Sequence, residues 1–170
     1  MAKNIYYGLS SFKALEEIAA QVVEVLGGGD DAFCLIMETC AAETHLGTAP
    51  DLHSLSGYGL TQFDNIGFDD TVNRTGKVRR DQVFGKWRID INEIMIRELN
   101  FSPMLSVILC RLFYLLRPGK IPDTLEGRAA YWKKYYNTEY GKGTIEHYIK
   151  SSRLLKDLSL IHISEPTRPY

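Results

Sequence analysis

Glu43 and Asp64 open and close the stretch ETHLGTAPDLHSLSGYGLTQFD, and their types and setting suit acid–base work. Cleaving a glycosidic bond is one reaction with that need. A proton must reach the leaving oxygen, and the electron-poor sugar carbon needs help from a second carboxylate or from the substrate itself. Between the two acids, Gly47 to Gly59 contains Pro50, Asp51, Ser54 and Ser56 and reads as a loop or short hairpin. Such a loop could form one wall of a cleft, with Gly57 and Gly59 letting backbone approach a sugar, while Asp64 holds a water. Spacing alone does not select this chemistry, because a helix end followed by a surface loop has the same outline.

The helix that carries Glu43 decides which acid is the candidate. A helix capped by Asp30 or Asp31 and running to Thr44 or His45 has the apolar stripe Phe33, Ile36, Met37, Cys40 and Thr44. At about 100° per residue, Glu38 points about 140° from the centre of that stripe, towards water. Glu43 lies about 80° away, beside Ile36 and Cys40. A carboxyl on the shoulder of an apolar face is partly desolvated, which favours its protonated form. Glu43 is therefore the candidate acid, and Glu38 is expected to be solvated.

The remaining elements also read as mostly helical. Leu15, Ile18, Ala19, Val22 and Leu26 recur with the spacing of one helix face, and Gly27-Gly28-Gly29 stops that helix. Residues 66–90 are polar and show no clear element beyond short helices. Ile91, Ile94, Met95 and Glu98 predict a helix over Ile89 to Leu99. Ser102-Pro103 is a capping hydroxyl followed by Pro at the first helical position, and the helix to about Leu116 is apolar almost all round. It should be buried at the centre. Pro118-Gly119 ends it, and two further helices are expected at 124–136 and 144–157.

Composition limits the function classes. A chain of 170 residues with 45% apolar content and a formal net charge of −1 is a globular domain. It is not a nucleic-acid binder driven by bulk charge. The basic run Lys77-Val-Arg-Arg80 is broken by Asp81 and reads as a solvated face. Cys34, Cys40 and Cys110 lack framework spacing and read as buried reduced thiols. No cysteine or histidine pair has the spacing of a zinc site, so neither metal nor cofactor is expected. The N-terminal MAKNIYYGLSS lacks the apolar core of a signal peptide, and the longest apolar run is too short for a bilayer. Synthesis in the cytoplasm, with no stable membrane insertion, is the corresponding expectation.

The residues themselves sharpen this reading. Glu43-Thr44-His45-Leu46-Gly47, followed by Gly57-Tyr58-Gly59-Leu60-Thr61-Gln62-Phe63-Asp64, resembles the goose-type lysozymes and the related lytic transglycosylases. In that family a catalytic Glu begins an E-S-H-x-G or E-S-x-F stretch at a helix end. A G-x-G-L-M-Q segment follows, with an Asp two residues after the Gln in the goose-type branch. Here Thr replaces Ser at 44 and Met at 61. The resemblance implies a mainly α, lysozyme-like α+β fold: a helical domain with a buried central helix and a small β or loop element lining a cleft. Carried over by position, Glu43 is the general acid and Asp64 the carboxylate that places the water. Gln62 and Tyr58 fall on cleft-lining positions, and His45 supports the loop. The connection from Glu43 to the GYGLTQ segment is shorter than in the goose-type enzymes. Asp51 is the one acid within it, so the water-placing carboxylate is Asp64 or Asp51.

A softer resemblance lies in Tyr131-Trp-Lys-Lys-Tyr-Tyr136-Asn-Thr with Gly141-Lys-Gly-Thr144, which is similar to a segment near the C-terminus of phage lysozyme-like and chitinase-like proteins. One of its tyrosines, Tyr136, is a further candidate for sugar contact; packing of the last helices is the other role open to these aromatics. The ending LSLIHISEPTR back-translates to a transposase adapter used in sequencing libraries. Residues 1–157 are accordingly read as a single catalytic domain and 158–170 as an adapter-derived tail. The resemblance implies a monomer that cleaves the β-1,4 bond between N-acetylmuramic acid and N-acetylglucosamine in peptidoglycan glycan strands. It would reach the wall by holin-type release or as part of a virion. Transglycosylation to anhydro sugars, a chitinase-like activity, and a non-enzymatic virion role stay open as alternatives.

Overall fold

A computed structural model describes residues 4–50 and 57–164, with side chains to residue 158. Among these residues the chain is mainly helical: α1 Phe12–Leu26, α2 Gly29–Thr44, α3 Asn65–Arg74, α4 Lys77–Trp87, α5 Pro103–Leu115, α6 Leu125–Trp132 and α7 Ile145–Ser164. A 3-10 turn, Ile96–Asn100, precedes α5, and a π-helical turn, Lys133–Asn137, continues α6. None of the helices is long and apolar enough to cross a membrane.

Local signals explain most of these boundaries. Ser11 accepts a hydrogen bond from the Ala14 amide and starts α1, which buries Leu15, Ala19, Val22 and Leu26 and stops at Gly27, φ +80°. Ser102 caps α5 through the Leu105 amide, with Pro103 at its first position. Every residue from Leu105 to Tyr114 is buried, so α5 is a central helix, as its composition predicts.

α2 is a second central helix. It packs against α1, α5, α6 and α7 and buries most of its circumference. Neither Asp30 nor Asp31 caps it. Gly28, φ +112°, sits at that position, and both aspartates fall in the first turn, where the positive end of the helix dipole favours them. A Cβ at Gly28 would collide with Ala32 and the Arg111 guanidinium, whose Nε donates to the Gly27 carbonyl at 2.8 Å.

The burial of α2 overturns the reading of Glu38 as solvated. Glu38 is 5% exposed. Arg128 of α6 donates to both its oxygens at 2.8 Å, and the Tyr148 hydroxyl of α7 donates to Oε2 at 2.8 Å. An amphipathic stripe assumes one wet face; here α6 and α7 cover that face and bring the donors a buried carboxylate requires.

Two more expectations change. Ile89 to Leu99 is not an α-helix: the Asp90 carboxylate accepts from the Asn92 amide, Met95 is extended, and only the 3-10 turn follows. Its apolar residues still anchor the segment, with Ile91 and Leu99 fully buried. The small β element reduces, among the described residues, to one antiparallel bridge between Tyr58 and Phe63. In the polar stretch after it, α3 buries Phe68 and α4 buries Val83, and arginines add to the hold. Arg79 donates to the Leu26 carbonyl, and Arg80 reaches the Val72 and Thr75 carbonyls, so this part of the basic run is only half solvated. The backbone of α7 continues past residue 157 to Ser164, into the segment read as tail.

Candidate active site

Glu43 occupies the last turn of α2, half-buried. The three residues that end the helix, His45, Leu46 and Gly47, all have positive φ: +48°, +59° and +81°. The His45 amide bonds back to Ala41 and the Leu46 amide to Cys40, so the chain reverses immediately beyond the acid. Thr44 locks this reversal to the next segment. Its hydroxyl donates to the Leu60 carbonyl at 2.8 Å and accepts from the Gly47 amide at 3.2 Å. The Thr44 hydroxyl thus joins the end of α2, beside Glu43, to the 57–64 turn.

That turn is built tightly. The Tyr58 and Phe63 amides and carbonyls exchange hydrogen bonds at 2.9 and 3.0 Å. The Gly59 amide donates to Asn100 Oδ1 at 2.8 Å, and a Cβ at Gly59 would strike Ser106 Oγ and the Leu99 carbonyl. A Cβ at Gly57 would strike the Gln62 side chain. Both glycines therefore serve close approach within the protein, where the sequence suggests approach to a sugar. Gln62, φ +51°, donates its side-chain amide to the Gly59 carbonyl at 2.9 Å and to Tyr7 Oη at 3.4 Å.

The carboxyl of Glu43 is held from the other side. Trp132, at the end of α6, donates its indole N–H to Glu43 Oε1 at 3.1 Å. This bond suits a neutral acid as well as a carboxylate, since a protonated carboxyl keeps one carbonyl oxygen as acceptor. Tyr136, one turn on, donates its hydroxyl to the Thr61 carbonyl at 2.6 Å. Burial pushes the Tyr136 phenol well above its usual range and keeps it a neutral donor. Burial, then the Glu43 charge, pushes the Cys40 thiol up to about 12, so it is no nucleophile near neutral pH.

Asp64 plays a different local part. It is exposed and caps α3, accepting from the Gly67 amide at 2.6 Å. Gln62, Asp64 and Tyr136 line one cavity of about 390 Å³, together with Asp70, Arg117 and Tyr135. Tyr58 is half-buried in the turn that carries Gln62. His45 is exposed; its ring faces His147 of α7 at 6.4 Å, and His147 in turn bonds the Ala42 carbonyl at 2.8 Å. Asp51, the alternative second acid, lies outside the described residues.

Packing is one of the two roles the sequence leaves open for Trp132, and Trp132 does pack, at 1% exposure, but it also contacts the acid directly. A signal was present: positions 132 and 136 lie four apart on one helical face. Asp70 and Arg117 carry no such signal, because their pairing joins distant parts of the chain. Compared with models of protein families, with curated proteins and with solved structures, the chain matches none.

Proposed function

We propose that this protein is a glycoside hydrolase that cleaves the β-1,4 bond between N-acetylmuramic acid and N-acetylglucosamine in peptidoglycan, with Glu43 as general acid. The observation that carries the reading is the seating of Glu43. It ends a buried helix, the Trp132 indole orients one carboxyl oxygen, and the Thr44–Leu60 bond draws the 57–64 turn beside it. The negative end of α2 opposes a charge on this carboxyl, and an acid must arrive protonated. Proton transfer goes from Glu43 to the glycosidic oxygen as the bond to the anomeric carbon breaks. Asp64, whose charge suits the start of α3, holds the water that attacks the opposite face, which gives inversion.

The engagement of Asp64 as a helix cap favours a second reading of the same site. One of its oxygens is already committed at 2.6 Å. If it does not hold water, the 6-hydroxyl of the muramic acid residue attacks instead, with Glu43 first acid and then base, and the product is an anhydro sugar.

Mass spectrometry of soluble products from purified peptidoglycan separates these readings. Reducing muropeptides are expected from wild type, falling about 10²- to 10⁴-fold in Glu43→Gln and in Asp64→Asn. Anhydro-muropeptides that persist in Asp64→Asn establish the transglycosylase. Undiminished release by Glu43→Gln removes Glu43 from the acid role.

A further inference from the structure

A second cavity, of about 350 Å³, lies at the opposite end of α2 from Glu43 and is near the lower end of small-molecule sites. Gly28, in its wall, stands about 22 Å from Glu43 along the helix, at 1.5 Å per residue. Among the described residues no side chain caps the start of α2, and Gly28 brings that uncapped, positive end to the cavity. An uncapped helix start alone selects nothing, but two polar groups in the same wall are left unused by the protein. Tyr131 of α6 is 8% exposed, and its hydroxyl is buried with no hydrogen-bond partner among the described residues. The other phenol in the wall, Tyr114, commits its hydroxyl to Thr39 at 2.8 Å. Arg117, just past α5, likewise has a buried Nε with no such partner, its guanidinium 3.9 Å over the Phe113 ring. Buried donors are almost always paired, so two unpaired ones in one wall point to a ligand that accepts from both.

Charge narrows the class of that ligand. Arg111, Arg117 and Lys120 line the cavity against one carboxylate, Asp31, an excess of two positive charges. Asp30, also in the first turn of α2, is exposed and outside the lining. Arg117 pairs with Asp70 at 3.1 Å, but Arg74 claims the same carboxylate oxygen at 3.1 Å. Arg111 donates its Nε to the Gly27 carbonyl, and Arg79 holds the preceding carbonyl, that of Leu26. Among the described residues no carboxylate pairs with Arg111 or Lys120. These outer charges add to the positive excess and do not cancel it. A phosphomonoester carries about −1.5 to −2 near pH 7, whereas a carboxylate or a phosphodiester brings a single charge. Leu115, Ile121 and the Tyr114 ring give the cavity an apolar side that a bare oxyanion would leave untouched. We propose that this cavity binds a small phosphomonoester, its phosphate held by Tyr131, Arg111, Arg117 and Lys120 beside the start of α2. The site is separate from the glycan-cleaving reading and does not depend on it.

The test is calorimetric titration of the full-length chain with glycerol 3-phosphate at low salt and neutral pH, with amide NMR of ¹⁵N-labelled protein to locate binding. One saturable site is expected, with shifts at the Gly28 and Gly119 amides and none at Gly59 in the 57–64 turn. Tyr131→Phe deletes only the unpartnered hydroxyl, so it should melt no lower than wild type while Kd rises about tenfold. Lys120→Gln, at an exposed position, should raise Kd about threefold. Inorganic phosphate should bind more weakly, and acetate should leave the same amides unmoved. No binding by either readout, shifts confined elsewhere, or an unchanged Kd in Tyr131→Phe overturns the site. Equal affinity for inorganic phosphate overturns the ester, and equal affinity for acetate overturns the selection by charge.

Discussion

Trp132 serves the fold and the proposed acid with different atoms. Its ring is buried against Tyr148, at 5.1 Å between centroids, while its N–H reaches Glu43. Trp132→Phe keeps much of the ring and removes the donor. Turnover of peptidoglycan is expected to fall about tenfold with KM little changed, and stability to fall by about 1–3 kcal/mol for the lost hydrogen bond and trimmed ring. Turbidity kinetics alongside thermal melts separate the two effects, and wild-type kcat in the Phe variant would remove Trp132 from positioning the acid. The same logic makes Asn the informative change at Asp64. Asn caps a helix as well as Asp does, so α3 should start normally while the charge is gone. At this scale the sequence is legible where chemistry is local. Glu43 stands out because the helix, its reversal and the Gly-rich turn lie within one stretch. Glu38 is misread because burial by α6 and α7 is not written near it, and the Trp132 contact joins residues 89 positions apart.

Between elements, the Glu38–Arg128–Tyr148 cluster fastens α6 and α7 to α2, and so fixes Trp132 relative to Glu43. Both members of the ion pair are under a tenth exposed, at 9% for the Arg128 side chain and 7% for that of Glu38. Removing one partner leaves a buried charge uncompensated. Arg128→Met is therefore expected to cost about 3–5 kcal/mol in denaturant unfolding, while the double change with Glu38→Met recovers most of that loss. If the single variant loses under about 1 kcal/mol, water reaches Glu38 and the cluster is not what joins these helices. The helices themselves differ in how visibly they are encoded. α1 and α5 carry a capping serine and an apolar pattern within their own residues. The segment Ile89 to Leu99 carries a helical pattern too, but the Asp90–Asn92 turn and the extended Met95 place its apolar anchors without a helix. α3 and α4 each bury only one large apolar side chain, Phe68 and Val83, and add arginine contacts to carbonyls elsewhere in the chain, which periodicity does not reveal.

Over the whole molecule, one core couples α2 to α5, and its thiols report on it. Cys40 and Cys110 are fully buried there, and Cys34 is half-buried. Burial raises all three thiols above their ordinary 9.0, Cys40 to about 12. The phenols of Tyr114, Tyr136 and Tyr148 are raised well above 10.0, with burial the largest cause in each. A group that holds its proton more tightly when folded contributes fully below its unfolded pKa. That contribution is lost as pH rises towards the folded value, at about 1.4 kcal/mol per pH unit for each group. Stability should therefore be level near neutrality and fall with increasing slope above pH 9, first through the thiols and then through the phenols. Thermal melts from pH 7 to 10.5 measure this directly. Cys40→Ala should flatten the early part of the fall, at the cost of a smaller core residue. The same burial predicts that native protein at pH 8 exposes at most one thiol to a disulfide reagent and all three in denaturant, because no thiolate forms at Cys40 or Cys110 while α2 and α5 stay packed. Rapid labelling of three thiols in the native protein, or a Tm independent of pH up to 10.5, would mean that water reaches this core. The seating of Glu43 at the end of α2 would then lose the rigid base on which its proposed chemistry depends.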